Sequence, residues 1–285
     1  MITIFTIPKA FSGNINIAQR NAIRSWLQLS PRCEIILFGD EEGVVETARE
    51  LGVLHIAEIE KNEFGTPFLN SAFNTAQELA KNDILVYINT DIILTLDFVS
   101  AVKKIERPMF LMSGRRWDLD IKEEINFNED DWEEKLQERI KKKGNLHSPS
   151  GADYFIFTRN LPHNLPPFTV GRPGWDNWLI YNILKLKIPV IDASQAITVA
   201  HQNHESSHLQ VKKDDLKKKE AMRNLKLAGG FSNMGTLRDA DWLLTENGLE
   251  KPPYPRRIFA KMSLFYPWRL LLALKRKIQN VLYAV

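Results

Sequence analysis

Short apolar runs alternate with segments of helical periodicity in the first third of the chain. The runs are rich in Ile, Val, Leu and Phe, and the segments between them carry apolar residues three or four positions apart. We therefore predict strands at residues 2–7, 33–38, 53–59 and 84–88 and helices at 15–29, 41–51 and 69–80. Strands that alternate with helices in this way favour an α/β fold with a mixed, mostly parallel sheet flanked by helices.

The pattern changes in the middle of the chain. Residues 115–147 are interpreted as a variable insertion with a charged surface helix, in which Asp131/Lys135 and Glu138/Lys142 have the spacing of helical ion pairs. Further strands are predicted at 154–158, 189–191 and 196–200, and helices at 175–185 and 209–228. This organisation predicts a domain over residues 1–205, a helical extension over 206–250 and a basic amphipathic tail over 251–285.

Charge is distributed unevenly along the 285 residues. From Lys251 onward there are eight basic and no acidic residues, whereas the first 250 residues carry 30 basic and 35 acidic side chains. A nucleic-acid-binding protein more often carries its positive charge on the folded domain, so nucleic acid is not an expected partner. Basic residues interleaved with apolar ones suit either an anionic membrane surface or a terminal helix packed on the domain.

The cysteine content and the start of the chain bear on the compartment. Cys33 is the single cysteine, which excludes an internal disulfide and a cysteine-rich zinc site. The start of the chain lacks the features of a signal peptide, and no run reaches the roughly 18 apolar residues of a membrane span. The expected localisation is cytoplasmic, with the tail as the element that would attach the protein to the inner face of the cell membrane.

Polar residues follow directly on the apolar strand predicted at 84–88. They read Asn89-Thr90-Asp91 and lie where strand ends form the ligand-binding edge of an open sheet. One or two carboxylates together with phosphate oxygens suffice to hold Mg²⁺ or Mn²⁺. Asn and Asp are also common turn residues, so a plain turn is the alternative.

A dense motif opens the helix predicted at 175–185. It reads Gly171-Arg172-Pro173-Gly174-Trp175-Asp176-Asn177-Trp178. Asp176 would lie in the first helical turn, where backbone N–H groups favour its ionised form. An ionised carboxylate in an aromatic-walled pocket is suited to act as a general base. The alternative is a helix N-terminus with packed tryptophans.

Three histidines, His201, His204 and His208, follow the strand predicted at 196–200. Their spacing could place all three on one helix face and bind zinc. Alternatively, His201 alone is a ligand, because it lies at the strand end, or the segment is a solvated polar loop.

The order and spacing of Asp91, Asp176 and His201, each beside the end of a predicted strand or helix, resemble those of GT-A-fold glycosyltransferases. This broad family includes the inverting relatives of cellulose and chitin synthases, and the resemblance covers roughly residues 1–205. It implies a Rossmann-like catalytic domain with a strand-end D-x-D motif, which binds a divalent cation and the diphosphate of a nucleotide sugar. Here the motif reads Asn89-Thr90-Asp91. Asp91 is thereby implied as a metal ligand, whereas Asn89 departs from the pattern and carries no charge.

The same resemblance implies roles for further residues. His201 becomes the second metal ligand, with His204 as the fallback, and Asp176 becomes the catalytic base. Phe73 replaces an Arg that the family places next to the residue matched here by Asn74. The residues implied in nucleotide-sugar binding are Thr6, Pro8, Asp40, Asn74, Asn89, Thr90, Asp91, Gly151, Asp153 and Trp175.

The implied function is transfer of a sugar from a nucleotide-sugar donor to a hydroxyl acceptor, assisted by Mn²⁺ or Mg²⁺ and with inversion. A carbohydrate or lipid-linked acceptor, in cell-surface polysaccharide or glycolipid synthesis, would suit the tail. A sugar-nucleotidyltransferase is the alternative enzyme, although residues 8–13 lack the Gly-rich loop that cradles phosphates after the first strand. A non-catalytic protein that keeps the fold is the remaining alternative.

Overall fold

The computed structural model describes residues 1–162, 164–203, 211–256 and 258 of the chain. Within these residues the strands are β1 (Ile2–Thr6), β2 (Glu34–Phe38), β3 (Leu54–Ile56), β4 (Ile84–Ile88), β5 (Ile92–Leu94), β6 (Leu111–Ser113), β7 (Trp117–Leu119), β8 (Asn145–Leu146), β9 (Tyr154–Thr158), β10 (Val190–Asp192), β11 (Val199–Gln202), β12 (Trp242–Thr245) and β13 (Gly248–Glu250). The α-helices are α1 (Gly13–Leu27), α2 (Val44–Leu51), α3 (Leu69–Leu79), α4 (Asp97–Lys103), α5 (Trp132–Lys143), α6 (Trp175–Lys185) and α7 (Val211–Leu227).

A nine-stranded sheet within the described residues forms the centre of the fold, in the order β13-β12-β10-β6-β9-β4-β1-β2-β3. Neighbouring strands run parallel, except that β9 is antiparallel to β4 and β6, and β13 to β12. The predicted α/β fold, with a mixed and mostly parallel sheet flanked by helices, is confirmed. Because β1 pairs with β4, their carboxyl ends lie side by side.

Both faces of the large sheet are covered by apolar side chains. One buried cluster includes side chains of α1, α2 and α4, and another includes side chains of α3 and α6. On the second face Phe73 stacks between Tyr87 and Phe157, with ring centroids 5.2 and 5.5 Å away. Strands covered on both faces need apolar residues at every position, which explains the continuous rather than alternating runs in the sequence.

A second sheet, with β5, β11, β7 and β8 in this order, joins the first through the segment Asn89-Thr90-Asp91. Trp26 of α1 fixes β5, because its indole Nε1 donates to the carbonyl oxygen of Ile92 at 2.9 Å. The small sheet packs Ile93 and Leu119 in one buried cluster with apolar residues of α5, which are Trp132, Leu136 and Ile140. The chain therefore passes from the large sheet into the small one at the predicted metal motif.

The insertion at residues 115–147 contributes β7, α5 and β8. Both predicted ion pairs of α5 are present, with Lys135 Nζ 2.9 Å from Asp131 and Lys142 Nζ 2.8 Å from Glu138. The sequence indicated the helix but neither strand. Two or three residues are too few to show a period, so these strands depend on their partners in the small sheet.

Residues 206–250 differ from the predicted helical extension. They contain α7, but they also contain β12 and β13, which extend the large sheet at its edge. The two strands form a hairpin in which Thr245 pairs with Gly248 across a two-residue turn. The large sheet therefore includes strands beyond residue 205.

The end of the described chain bears on the predicted tail. Arg256 lies on the folded domain, with its guanidinium 2.8 Å from Asp192. The remainder of the tail, residue 257 and residues 259–285, lies outside the described residues. Among the described residues, no helix is long and apolar enough to span a membrane.

Candidate active site

A cavity of about 850 Å³ opens at the carboxyl ends of β1 and β4. Its lining includes Pro8, which follows β1, and all three residues of Asn89-Thr90-Asp91, which follow β4. The rest of the lining includes residues 65–67 and 170–173, Glu41 and parts of α1 and α7. Its size is typical of small-molecule sites, and its position is where open α/β sheets bind ligands.

Thr6 and Thr90 join the two strand ends at this cavity. Their hydroxyl oxygens are 2.8 Å apart and both side chains are buried. Thr6, a predicted nucleotide-sugar-binding residue, therefore holds Thr90, which lines the cavity, by a hydrogen bond across the ends of β1 and β4.

The backbone of Asp91 is held by Gln202 of β11. The backbone N–H of Gln202 donates to the Asp91 carbonyl oxygen at 3.1 Å, and its side-chain amide donates to the same oxygen at 3.3 Å. The Gln202 amide is fully buried and also accepts a hydrogen bond from Asn21 of α1 at 3.0 Å. These contacts fix the point at which the Asp91 side chain enters the cavity.

Two aspartate and two histidine side chains form a row across the small sheet. We call them the Asp-His row: Asp91 before β5, His201 on β11, Asp118 on β7 and His147 after β8. Asp91 Oδ2 lies 3.7 Å from His201 Nε2, and His201 Nδ1 lies 3.2 Å from Asp118 Oδ1. Asp118 Oδ2 is in turn 2.8 Å from His147 Nδ1. The structure therefore brings the predicted metal ligands Asp91 and His201 together.

Electrostatic contacts within the row favour its charged forms. Burial lowers the pKa of His201, but the neighbouring Asp91 carboxylate outweighs burial, and the pKa lies above its usual value. Burial likewise raises the pKa of Asp118, but hydrogen bonds from His147 and Arg116 outweigh it, and the pKa lies below its usual value. Asp118 is therefore ionised at neutral pH.

A divalent cation fits the pair Asp91 and His201. A carboxylate oxygen and an imidazole nitrogen 3.7 Å apart can both face one ion, and the two side chains are 16% and 15% exposed. Within residues 1–162, 164–203 and 211–256, no group of three or more His, Cys, Asp or Glu side chains is arranged to hold a metal. A cation held by this pair would take its other ligands from water and substrate phosphates, as is usual for Mg²⁺.

Asn89 is bonded to a second carboxylate beside the cavity. Its side-chain Nδ2 donates to Asp153 Oδ1 at 2.7 Å, and Arg116 donates to the other oxygen of Asp153. Asp153 is 8% exposed, so both its oxygens are satisfied in a largely dry environment. An Asp at position 89 would place two carboxylates in contact, whereas the Asn amide donates a hydrogen bond. This contact accounts physically for the departure from the D-x-D pattern.

Asp176 lies at the second position of α6 and is half-buried. The helix begins after Gly174, whose φ of 102° is a conformation that other residues rarely adopt. Burial raises the pKa of Asp176 to about 6, an effect opposed by backbone hydrogen bonds and reinforced by Asp153. A carboxyl group that titrates near neutrality can accept a proton during a reaction and release it afterwards.

Two predicted site residues pack against other side chains. Trp175 is 6% exposed and lies in the core, with its ring centroid 5.2 Å from those of Tyr87 and Phe155. This is the packed-tryptophan alternative raised by the sequence. Gly151 lies against His147, since a Cβ at position 151 would come 2.6 Å from His147 Nε2. Gly151 thus permits the close approach of the last member of the Asp-His row.

Of the predicted site residues, those outside the cavity lining are Thr6, Gly151, Asp153, Trp175, Asp176, His201, Asp40 and Asn74. Asp40 follows β2 with its side chain 61% exposed, and it pairs with Lys61. Asn74 is exposed on α3, because the helical phase that buries Phe73 turns the next residue to solvent. Their predicted contacts with a nucleotide sugar therefore need a ligand that reaches beyond the cavity. His204 and His208 lie outside the described residues.

Basic side chains surround part of the cavity. We call them the basic rim: Lys9, Arg172, Lys217 and Lys218. Arg172 is paired with the buried Glu220 of α7 at 2.6 Å, whereas Lys9, Lys217 and Lys218 are exposed. Positive charge at a cavity that also contains Asp91 is suited to a ligand with several negative charges.

Buried polar contacts fix α7 over residues 167–172. The Asn224 side chain is fully buried, accepts from the Thr169 N–H at 2.9 Å and donates to the Thr169 carbonyl at 3.0 Å. Arg223 donates to the Pro167 carbonyl at 2.6 Å. The positions of the α7 lysines at the rim are therefore set by the helix packing.

Sequence reasoning did not single out Arg116, Asp118 and His147. All three lie in or beside the short strands of the insertion, where no motif marks them. The charged residues of the insertion that do show a pattern belong to α5, which faces solvent on its polar side. Only the pairing of β7 with β11 places Asp118 opposite His201.

Comparisons with known proteins give fold likenesses only. No protein-family model and no curated protein matches the chain. Among solved structures, the chain is similar to glucosyl-3-phosphoglycerate synthase from Mycobacterium tuberculosis in complex with Mg²⁺ and uridine diphosphate. The sequence identity is 14% over 81% of this chain and 80% of that chain, and the TM-score is 0.47.

Two further solved structures are similar. The mannosyltransferase PcManGT from Pyrobaculum calidifontis, in complex with GDP-Man and Mn²⁺, shares 14% identity over 96% of this chain and 73% of that chain, with a TM-score of 0.48. A putative nucleotide-diphospho-sugar transferase from Desulfovibrio desulfuricans G20 shares 10% identity over 80% and 96%, with a TM-score of 0.42. Likenesses this distant assign neither a substrate nor a metal to this chain.

Proposed function

We propose that the protein is a glycosyltransferase that moves a sugar from a nucleotide-sugar donor to a hydroxyl acceptor, with inversion and with the help of Mn²⁺ or Mg²⁺. The observation that carries the proposal is that Asp91, which lines a cavity with a basic rim, is paired with His201. A diphosphate suits both features, because its oxygens can share a cation with Asp91 and meet the lysines directly.

Asp91 and His201 would hold the cation in this reaction. When bound, the cation would supply positive charge to the diphosphate, which becomes more negative as the bond to the sugar breaks. Thr90 and Asn89 line the same end of the cavity and would lie beside the donor, held there by their hydrogen bonds to Thr6 and Asp153. Lys217 and Lys218 would contact the diphosphate from α7.

Asp176 would act as the general base. In the ionised form it would take the proton from the acceptor hydroxyl as that oxygen attacks the anomeric carbon and the nucleoside diphosphate leaves. A single displacement of this kind inverts the configuration at that carbon. Its raised pKa makes the protonated product state accessible near neutral pH.

The proposed donor site is tested by thermal-shift measurements with a panel of nucleoside diphosphates, each with and without Mn²⁺. We expect one or two bases to raise the melting temperature, and to do so only with Mn²⁺, since a ligand that binds the folded state stabilises it by mass action. If no nucleoside diphosphate shifts the melting temperature, the donor assignment is wrong.

Loss of the α7 lysines should weaken donor binding. The double variant Lys217→Ala/Lys218→Ala is expected to lower affinity for the stabilising nucleoside diphosphate by roughly 2- to 30-fold, since exposed charge contacts contribute about 0.2–1 kcal/mol each. Calorimetry with Mn²⁺ present measures the change. The matched control is Lys219→Ala/Lys226→Ala, which removes the same charge from exposed positions of α7 outside the cavity lining. Equal affinities for the two double variants would exclude the lysines from the donor site.

The acceptor class and the membrane role belong to the same proposal. We infer a carbohydrate or lipid-linked acceptor, in cell-surface polysaccharide or glycolipid synthesis, at the cytoplasmic face of the membrane. Support comes from the sequence of residues 259–285, in which five basic residues are interleaved with apolar ones and no acidic residue occurs.

Truncation after residue 258 tests the membrane role. Because Arg256 pairs with Asp192, this truncation keeps the docked start of the tail. We expect the truncated chain to lose binding to vesicles that contain anionic lipid while its melting temperature stays the same, since each basic residue contributes about 1 kcal/mol near such a surface. Vesicle co-sedimentation at low and high salt measures the loss. A truncated chain that melts lower and binds vesicles as before would support the packed-helix alternative instead.

A further inference from the structure

The small sheet places an acidic residue directly opposite the histidine of the proposed metal pair. β7 and β11 run parallel, and His201 is the register partner of Asp118. Across this pair, His201 Nδ1 lies 3.2 Å from Asp118 Oδ1. The other ring nitrogen, Nε2, is the one that lies near Asp91, at 3.7 Å. The two nitrogens of His201 therefore lie near two different carboxylates.

Asp118 is itself held in place from two sides. Arg116 Nε donates to Asp118 Oδ1 at 2.8 Å, and His147 Nδ1 lies 2.8 Å from Asp118 Oδ2. The Asp118 side chain is 17% exposed. Its oxygens are thus committed to neighbouring side chains of the protein, which makes it a poor candidate for direct contact with substrate.

We propose that Asp118 is a positioning residue, which keeps the proton of neutral His201 on Nδ1 and thereby leaves the Nε2 lone pair directed towards the cation site at Asp91. The inference rests on the proposed function, because it takes Asp91 and His201 as the metal pair. Histidines that bind metals commonly donate their other ring N–H to a carboxylate, which fixes the ring orientation and the tautomer. Arg116 and His147 would hold the carboxylate in the orientation that this requires.

The first test measures the tautomer of His201 directly. Nitrogen-15 NMR of the imidazole rings, on the full chain without metal at about pH 9, where histidine is neutral, reports which nitrogen carries the proton. His201 is assigned among the six histidines as the signal that disappears in His201→Gln. We expect protonated Nδ1 in the wild type and a mixture of tautomers in Asp118→Asn. Protonated Nε2 in the wild type would overturn the inference, whether or not Asp118→Asn folds.

The second test measures metal affinity. Titration of Mn²⁺ alone into the full chain, followed by electron paramagnetic resonance, should give 10- to 100-fold weaker binding for Asp118→Asn, the usual effect of removing a carboxylate behind a ligand histidine. The control is Asp120→Asn, which removes the same charge two residues along, where the carboxylate accepts a hydrogen bond from Asn203. It should bind Mn²⁺ as the wild type does.

The outcomes separate the two proposals. A wild-type chain that binds no Mn²⁺ would overturn the metal pair and, with it, the role of Asp118. A wild type that binds Mn²⁺, with equal affinity in Asp118→Asn, would leave the metal pair intact and overturn the positioning role alone. Equal weakening by Asp118→Asn and Asp120→Asn would also overturn it, because the effect would then be one of general charge.

Discussion

Replacing Asp91 by Asn is expected to abolish Mn²⁺-dependent binding of the nucleoside diphosphate while leaving the fold intact. The carboxylate is the one charged group that the strand-end motif places in the cavity, and it lies 3.7 Å from its imidazole partner. Its backbone is held through the carbonyl oxygen by Gln202, a contact that the substitution does not touch. Calorimetry with Mn²⁺ and the stabilising nucleoside diphosphate measures the loss.

A matched control for this variant is Asp83→Asn, at the opposite end of β4. Asp83 is 90% exposed and pairs with Arg159, so its substitution removes the same charge far from the cavity. The control should bind as the wild type does. Unchanged affinity in Asp91→Asn would remove Asp91 from the donor site and leave the proposed function without its central observation.

Replacing Asp176 by Asn is expected to lower turnover at saturating donor by at least about 10²-fold, the usual scale for losing a general base. Donor affinity should stay the same, because Asp176 is assigned to the acceptor hydroxyl. In the wild type the rate should fall as the pH drops through about 6, since the base must be ionised to accept a proton. Normal turnover, or loss of donor binding in place of turnover, would contradict the assignment.

The same substitution should also change how the free energy of unfolding depends on pH. Burial raises the pKa of Asp176 from 3.8 to about 6, so the folded state binds a proton that the unfolded state releases over this range. The protonation of this group should therefore increase the free energy of unfolding as the pH falls from about 6 to 4. Asp176→Asn should lose that contribution and be no less stable than the wild type at neutral pH. Denaturant titrations at several pH values measure the difference.

The sequence predicted the parts of the site that follow long apolar strands. The apolar run that forms β4 can be interpreted only as a buried strand. A polar segment directly after this strand has to lie at the edge of the sheet. In the structure Asn89-Thr90-Asp91 follows β4 at this edge and lines the cavity. The helical ion pairs of α5 were predictable for a similar reason, since their spacing is a property of one element alone.

Contacts between elements were harder to predict. The positions of Asp118 and His147 beside His201 depend on the pairing of β7 with β11 and of β8 with β7, and strands of two or three residues leave no periodic signal. Asn74 was implied by the resemblance, but the packing of Phe73 between Tyr87 and Phe157 turns it to solvent. The hairpin of β12 and β13 was missed because residues 206–250 were interpreted from their most polar segment.

The division of the site between two sheets means that its two halves can change separately. The donor cavity lies at the ends of strands that are locked into the main core, where substitutions in β1 or β4 would disturb the whole domain. Asp118 and His147 are instead carried by an insertion with its own small apolar cluster around Trp132. Under the proposed function, exchange of this insertion should change the strength of cation binding and, through the cation, the affinity for the diphosphate, while the residues at the ends of β1 and β4 that line the cavity stay as they are.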